Sequence, residues 1–434
     1  MTAGRGWTTG ASISASDNSK NRSADQPLPP RLIASSPVAN SALPSNPIRT
    51  QVGNGCPMTV QIAQVETFSP LYPVEGHFKF FETRPGGPIG RPSVVVRITA
   101  SDGTVGWGEA VPSPRWSYET PESVRSTIEN YFTPGLLGRD PLDSGAIHRQ
   151  LQRVIAPSFS TGQPIARSGI DLALFDLSGK LRRQTACQVW GRHDRDTIEL
   201  SWTLNPRSPG ELEEDLAKAF QRGYRHFNLK VAPDLDRDLE HLRILRQAAP
   251  DAIIWVDANG GYTTEQAVEA AWAFAPFGLL AFEQPVPANC LSGLSRLRRL
   301  GALPIVLDEG LVSLTDLREF HQLGLLDGAA IKVPRVGGLT EAQRQIEYLQ
   351  QHGLLFLASG LTDPDLALAA AVPLLASHGL PYPAALNGPQ YLTASLLTKP
   401  WVPREGQLQI REGWGLGVEV DEFQLSRLGH KISA

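Results

Sequence analysis

The sequence predicts an α/β barrel preceded by a smaller α+β domain. Three observations predict it. After residue 192, short apolar strand-like runs alternate with helix-like segments, the pattern of a parallel sheet covered by helices. Three of these runs end in a carboxylate, at Asp257, Glu283 and Asp308, and two more end in a lysine, at Lys230 and Lys332. No GxGxxG turn follows the first run, which disfavours an open doubly wound sheet with one switch point. A closed barrel gathers the C-terminal ends of all its strands at one mouth, where such polar residues meet.

A chain of 434 residues exceeds the usual span of one hydrophobic core, so two domains plus tails are expected. Residues 1–57 are rich in Ser, Pro, Asn and Ala and show no apolar periodicity. Such a leader cannot repay the entropy of ordering and is expected to be disordered. No apolar h-region follows Arg5, so a signal peptide is not expected. Met58 stands just before the first good strand, TVQIAQVETF, and reads as the true start, with a native tail or a transit segment as the alternatives.

Residues 58–192 form the α+β part. Its strands are expected at Val60–Phe68, Phe78–Glu82 and Ser93–Thr99. The turn Ser101-Asp102-Gly103 then leads into Val105–Glu109 as a hairpin. Helices are expected at Pro121–Phe132, Ser144–Val154 and Ile165–Leu181, the last with apolar residues at 3–4 spacing. In residues 193–390 the strands are Thr197–Trp202, His226–Lys230, Ile253–Asp257, Leu279–Glu283, Ile305–Asp308, Gly328–Lys332 and Leu354–Ala358. Between them lie helices such as Pro209–Arg222, Leu235–Ala248, Thr264–Phe277, Leu314–Leu323 and Thr340–Gln351. An eighth, less regular strand falls near Ala384–Leu386. Residues 391–434 carry short strands in QLQIREG and GVEVDEF that return to the first domain.

Composition narrows the function classes. A net charge of -4 without a basic stripe argues against nucleic acid and anionic lipid as partners. The Arg-rich stretch Ser295–Leu300 reads as a solvated helix face. Cys56, Cys187 and Cys290 form no CxxC and are odd in number, so neither a disulfide framework nor a thiolate metal cluster is indicated. No apolar run reaches the roughly 18 residues of a membrane span. A cytoplasmic enzyme that meets only small molecules is expected.

Three hard oxygen donors converging at a barrel mouth suit Mg²⁺ or Mn²⁺, not zinc. One acid at a strand end also serves to cap a helix or pair with an arginine; three in succession, each after a buried run, are read as ligands. They are expected at a solvent-accessible rim. In HFNLKVA, strand alternation puts Asn228 on the same side as Lys230. Lys230 and Lys332 flank the acids, so a carboxylate held at the metal has one lysine on each face of its α-carbon. That arrangement suits removal of the α-proton through an enediolate, with Lys230 as principal base and Lys332 as its counterpart. Leu71–Lys79 and the segment with Arg115, Trp116 and Tyr118 are expected to reach over the mouth and set specificity.

The motifs GWGEA (106–110), SGIDLALFDLSGK (168–180), VDANGGY (256–262), FEQP (282–285), LDE (307–309) and IKVPRVGG (331–338) carry a resemblance. In this order and spacing, the chain from Met58 onward resembles the enolase superfamily, within it the mandelate racemase family and its muconate-lactonizing-enzyme subgroup. The resemblance implies a modified TIM barrel, (β/α)7β, with an α+β capping domain and Mg²⁺ at Asp257, Glu283 and Asp308. It implies that Lys230 is the second lysine of a KxK pair, that Lys332 is the lysine opposite, and that Glu309 contacts the lysine region. Asn259 and Asn387 join the supporting set. A homo-oligomer, dimer or octamer, is also implied.

The chain departs from that pattern in three places. Asn228 replaces the first lysine of KxK, keeping a hydrogen-bond donor but no charge. Thr362-Asp363 stands where many members have a glutamate. Ala385-Leu386-Asn387 stands where dipeptide epimerases have DxD, which argues against a free α-ammonium dipeptide as substrate. The expected activity is a racemase or epimerase of an N-blocked or cyclic amino acid, or a cycloisomerase acting on a carboxylate. The alternatives are a lyase (a hydroxy-acid dehydratase or an enzyme like o-succinylbenzoate synthase) and a non-catalytic barrel.

Overall fold

The computed structural model describes residues 60–78, 80–81, 86–157, 160–193 and 195–429. The leader, residues 1–57, lies outside the described residues. Strands β1 (Ile62–Phe68), β4 (Val94–Ala100) and β5 (Val105–Ala110) form an antiparallel sheet in the order β1-β4-β5, and β2 (Leu71–Tyr72) pairs with β3 (Arg91–Pro92). The turn between β4 and β5 falls at the expected Ser101-Asp102-Gly103, with Gly103 at φ 87°.

Against β5 lies the helix Pro164–Arg182, and the two motifs found there in the sequence explain each other. A Cβ on Gly108 would meet the Gly169 carbonyl at 2.3 Å, and one on Gly106 would meet the Ala173 carbonyl at 2.3 Å. Strand and helix therefore approach at backbone distance, which only glycine permits. Of the expected strand Phe78–Glu82, the described residues Phe78, Phe80 and Phe81 lie outside any strand, and Phe81 N donates to Phe78 O (3.1 Å). Their rings gather in one cluster with Tyr391, whereas a strand would send alternate rings to opposite faces.

The barrel begins later than expected. Thr197–Trp202 splits into β6 (Thr197–Glu199), antiparallel to β14 (Gln407–Gln409), and β7 (Trp202–Leu204), the first barrel strand. Six more parallel strands follow: β8 (Phe227–Lys230), β9 (Ile254–Asp257), β10 (Phe282–Glu283), β11 (Ile305–Leu307), β12 (Gly328–Ile331) and β13 (Leu355–Ala358). They hydrogen-bond in sequence order. Ala384 bridges to Leu200 and Ala385 to Ser359, so the eighth strand is reduced to two residues that join both edges of the curled sheet.

Each barrel strand is followed by a helix, and four of these helices carry a side-chain cap. Ser208, Asp234, Thr263 and Ser313 accept hydrogen bonds from the first turns of the helices they precede. Among the helices not foreseen are Ala186–Trp190 and Asp365–Ser377. The second is apolar on all sides and packs Leu366 and Ala367 against residues of the α+β part. GVEVDEF forms no strand: Val420 makes a single bridge to Leu397, and the helix Glu422–Leu428 follows.

Strand alternation sorts the side chains. Ile254, Val256, Phe282, Ile305, Leu307, Ala329 and Ile331 point outward into the core beneath the helices. Trp255, Ala281, Val306, Ala330 and Leu357 fill the barrel interior. Continuing that inner parity by two residues reaches Asp257, Glu283, Asp308 and Lys332. Phe282 shows how firmly the outer layer is held. It is fully buried against Tyr262 and Phe274, and truncation to alanine would cost about 3–5 kcal/mol.

Candidate metal centre and active site

The register brings Lys230, Asp257 and Glu283 to one level. Lys230 pairs with Asp257, and Asp257 with Glu283, across adjacent strands. Glu283 is level with Val306, so Asp308 projects one inner-facing step farther up the barrel. Oxygens of Asp257, Glu283 and Asp308 all lie within 4.8 Å of one another. The acids are fully buried, not at a solvent-accessible rim as the sequence suggested, because the capping loops roof the mouth.

Each acid is held from a different direction. Asp257 accepts from Lys230 Nζ (2.5 Å) and from Asn259, whose backbone N (2.8 Å) and Nδ2 (3.0 Å) reach its two oxygens. Glu283 accepts from Trp255 Nε1 (2.8 Å), two residues before Asp257 on the same inner face. Asp308 pairs with Lys332 Nζ (2.7 Å) and with the Arg335 guanidinium. Gln284 braces the cluster from below: its Oε1 accepts from Asp308 N (3.0 Å) and Gly310 N (3.1 Å).

Burial raises Glu283 well above the usual carboxylate range, and Asp257 and Asp308 add to it. Asp308 is also buried, but Arg335 and Lys332 outweigh that and hold it low. Burial, then Asp308 and Asp257, pushes Glu309 up to about 8. Burial disfavours the Lys230 ammonium, yet Asp257, Glu283 and Asp308 overcome this and raise it. For Lys332, burial prevails over Asp308 and lowers it.

A divalent cation fits this donor set. Glu283 Oε1 is buried with no hydrogen-bond partner among the described residues, and a desolvated carboxylate beside two others is costly unless a cation meets it. Hard oxygens in this number suit Mg²⁺ or Mn²⁺.

Above the acids sits Trp116. Its ring centroid lies 3.8 Å from Lys332 Nζ and 5.7 Å from Lys230 Nζ, and its ring stacks on Phe80 at 4.4 Å. Tyr118, expected beside it, is 64% exposed. Asn228 is buried on the inner face of β8, and its Nδ2 has no partner among the described residues. Asn387 lies at the eighth-strand loop, its Nδ2 3.4 Å from Thr203 Oγ1 and its Oδ1 unpartnered among the described residues. Asp363 follows β13 and is pushed up to about 6, chiefly by burial.

Sequence reasoning missed Arg335, Gln284 and Trp255 as members of the site. Trp255 was accessible by the alternation that found Asp257. Arg335 and Gln284 sit inside the motifs IKVPRVGG and FEQP, where their loop position beside a strand-end residue was the only signal.

A closed β/α barrel with a buried, metal-competent acid triad defines a divalent-metal-dependent enzyme of the kind that isomerises carboxylates. Residues 88–191 match the family model for the mandelate racemase / muconate lactonizing enzyme N-terminal domain, and residues 211–424 match the enolase C-terminal domain-like model. Muconate cycloisomerase 1-1 of Acinetobacter lwoffii is 30% identical over 347 residues, covering 78% of this chain and 89% of that protein. N-succinyl-L-Arg/Lys racemase of Bacillus cereus is 27% identical over 340 residues, covering 78% and 90%. The solved muconate lactonizing enzyme from Pseudomonas fluorescens complexed with muconolactone superposes with a TM-score of 0.79 at 26% identity, covering 86% of this chain and all of that one. The chain belongs to the mandelate racemase/muconate lactonizing enzyme family of the enolase superfamily. No helix among the described residues is long and apolar enough to cross a membrane.

Proposed function

We propose that this isomerase moves a proton at the carbon next to a substrate carboxylate, with Lys230 serving one face and Lys332 the other. One observation carries the reading: each lysine is paired to an end member of the same acid cluster, Lys230 to Asp257 and Lys332 to Asp308. Asp257, Glu283 and Asp308 would hold the cation, which when bound offsets negative charge developing on the carboxylate oxygens. One lysine nitrogen takes the α-proton, and the opposite lysine returns a proton to the other face in a racemisation. Asn228 donates through its free Nδ2 to the carboxylate, and Trp116 excludes water from both amines.

Relatives named as racemase and as cycloisomerase frame the choice of reaction. Racemisation or epimerisation uses both lysines, and cycloisomerisation needs one. Turnover in D₂O separates them from elimination. Deuterium in recovered substrate with inversion identifies the racemase, a ring-closed isomer the cycloisomerase, and a keto acid the dehydratase. No exchange with any α-substituted carboxylate would remove the proposal.

We further read residues 58–192 as the cap, 193–390 as the barrel, and 391–434 as a segment returning to the cap. Leu396, Leu397 and Leu425 packing with Tyr72, Val95 and Trp107 supports that division. A cytoplasmic homo-oligomer that binds no nucleic acid fits the net charge of -4 and exposed apolar residues such as Trp272 and Leu323. Light scattering of the purified protein tests the assembly.

A further inference from the structure

Beyond β13 the backbone is bent into a shape that presents one carboxylate oxygen. Thr362 is β-branched yet has φ 57°, in the left-handed region that such residues avoid. Strain of this kind persists only where the surroundings enforce it. Here Arg91 supplies the force. Its Nε donates to Leu361 O (2.7 Å), while Nη1 and Nη2 donate to Pro112 O (2.7 Å) and Val111 O (3.1 Å). One buried guanidinium thus ties this loop to the loop that carries Trp116.

The bend turns Asp363 back over Gly360. A Cβ at Gly360 would lie 2.7 Å from Asp363 Oδ2 and 3.0 Å from its Cγ, so the carboxylate fills the place of a missing side chain. Oδ1 is used by Leu361 N (2.8 Å). Oδ2 is buried and, among the described residues, has no hydrogen-bond partner. On its other side the Asp363 backbone carbonyl abuts Gly388, next to Asn387, whose Oδ1 is also unpartnered among the described residues. The loops of Asp363 and Asn387 therefore adjoin, and each side chain keeps one oxygen without a partner among the described residues. A buried acceptor without a partner is costly, so a ligand donor is the natural complement.

We propose that Asp363 determines specificity: its free Oδ2 accepts a hydrogen bond from a neutral donor, a hydroxyl or an amide N–H, on the carboxylate substrate. This rests on the proton-transfer reading above. The donor is neutral because the charges around it are already matched. Arg91, Lys332 and Arg335 face Asp363. With Lys230 they make four cations against at most five carboxylate charges, from Asp257, Glu283, Asp308, Glu309 and Asp363. A divalent ion plus a substrate carboxylate leaves no surplus negative charge for an ammonium.

The test uses the full-length, Mg²⁺-loaded protein and two pairs of probes that differ only in the donor. They are N-acetyl-L-phenylalanine against its N-methyl derivative, and 3-phenyllactate against its O-methyl ether; the phenyl group suits the cluster of Phe78, Phe80, Trp116 and Tyr391. Calorimetry should show the donor-bearing member binding at least about tenfold tighter in one pair or both. Asp363→Ala should bring that ratio to within about twofold. Asp363→Asn keeps an oxygen for Leu361 N but turns the free atom into a donor, so it should erase or invert the ratio. Equal affinities in wild type, or an Asp363→Asn protein that keeps the full preference, overturns the proposal alone. No Mg²⁺-dependent binding of any of the four carboxylates overturns the underlying reading and this proposal with it.

Discussion

Trp116 lays the face of its indole on the ammonium of Lys332, with Nζ 3.8 Å from the ring centroid. The contact joins a loop of the cap to the end of β12, and it leaves Lys332 fully buried. A cation held on an aromatic face out of water gains about 2 kcal/mol. The roof is therefore part of the lysine's environment as well as a barrier.

Removing that roof should expose the amine. In Trp116→Ala, Lys332 should acylate at least about tenfold faster with an amine-selective reagent, while Trp116→Phe should stay near wild type. Peptide mapping by mass spectrometry reads both. Equal labelling in all three proteins would mean that another group shields Lys332.

Glu283 should trade stability against metal binding. Its ionised form is disfavoured by burial and by two neighbouring acids, so Glu283→Gln relieves a cost in metal-free protein. The variant should melt higher than wild type in EDTA and should lose at least about a hundredfold in Mg²⁺ affinity by calorimetry. A lower melting point in EDTA together with unchanged Mg²⁺ affinity would remove Glu283 from the metal site.

The acids, the lysines and the alternating elements were legible because each depends on local pattern: an apolar run, its parity and its last residue. The errors came where tertiary packing overrode that pattern. Phe78–Glu82 has strand composition, but Phe78, Phe80 and Phe81 gain more by clustering over the mouth than by alternating across a sheet. Thr197–Trp202 reads as one run, yet its first half is claimed by β14, some two hundred residues away. The burial of the acids was invisible for a related reason: a strand end looks like a rim until the cap is in place. Arg91 is the extreme case, since nothing near it in sequence indicates that it grips Leu361.

Stability should fall with rising pH because of Glu109. Burial raises its carboxyl from 4.5 to about 7, although it accepts from Ser93 Oγ (2.6 Å), Tyr72 OH (2.9 Å) and Leu366 N (3.0 Å). The folded state therefore keeps a proton that the unfolded state has released between about 4.5 and about 7. In that window unfolding releases a proton, so stability declines as pH rises, by about 1.4 kcal/mol per unit. Glu109→Gln should remove that part of the slope, measured by urea unfolding at saturating Mg²⁺. An unchanged slope would show that Glu109 is ionised throughout.

The last prediction concerns the asymmetry between the two lysines. If Lys230 and Lys332 serve opposite faces, Lys230→Ala should abolish α-proton exchange from one substrate enantiomer and spare it from the other. Normal exchange in both directions would exclude Lys230 from proton transfer. Asn228, on the same inner face two residues earlier, tests the electrostatics of that lysine. Asn228→Lys adds a second ammonium, and a like charge disfavours the protonated form of Lys230. The limb of the pH–rate profile governed by Lys230 should then move to lower pH. The comparison must be made at saturating Mg²⁺, since Asp257 is shared between the lysine and the cation site. A limb that does not move means that the new ammonium reaches solvent or an acid before it reaches Lys230.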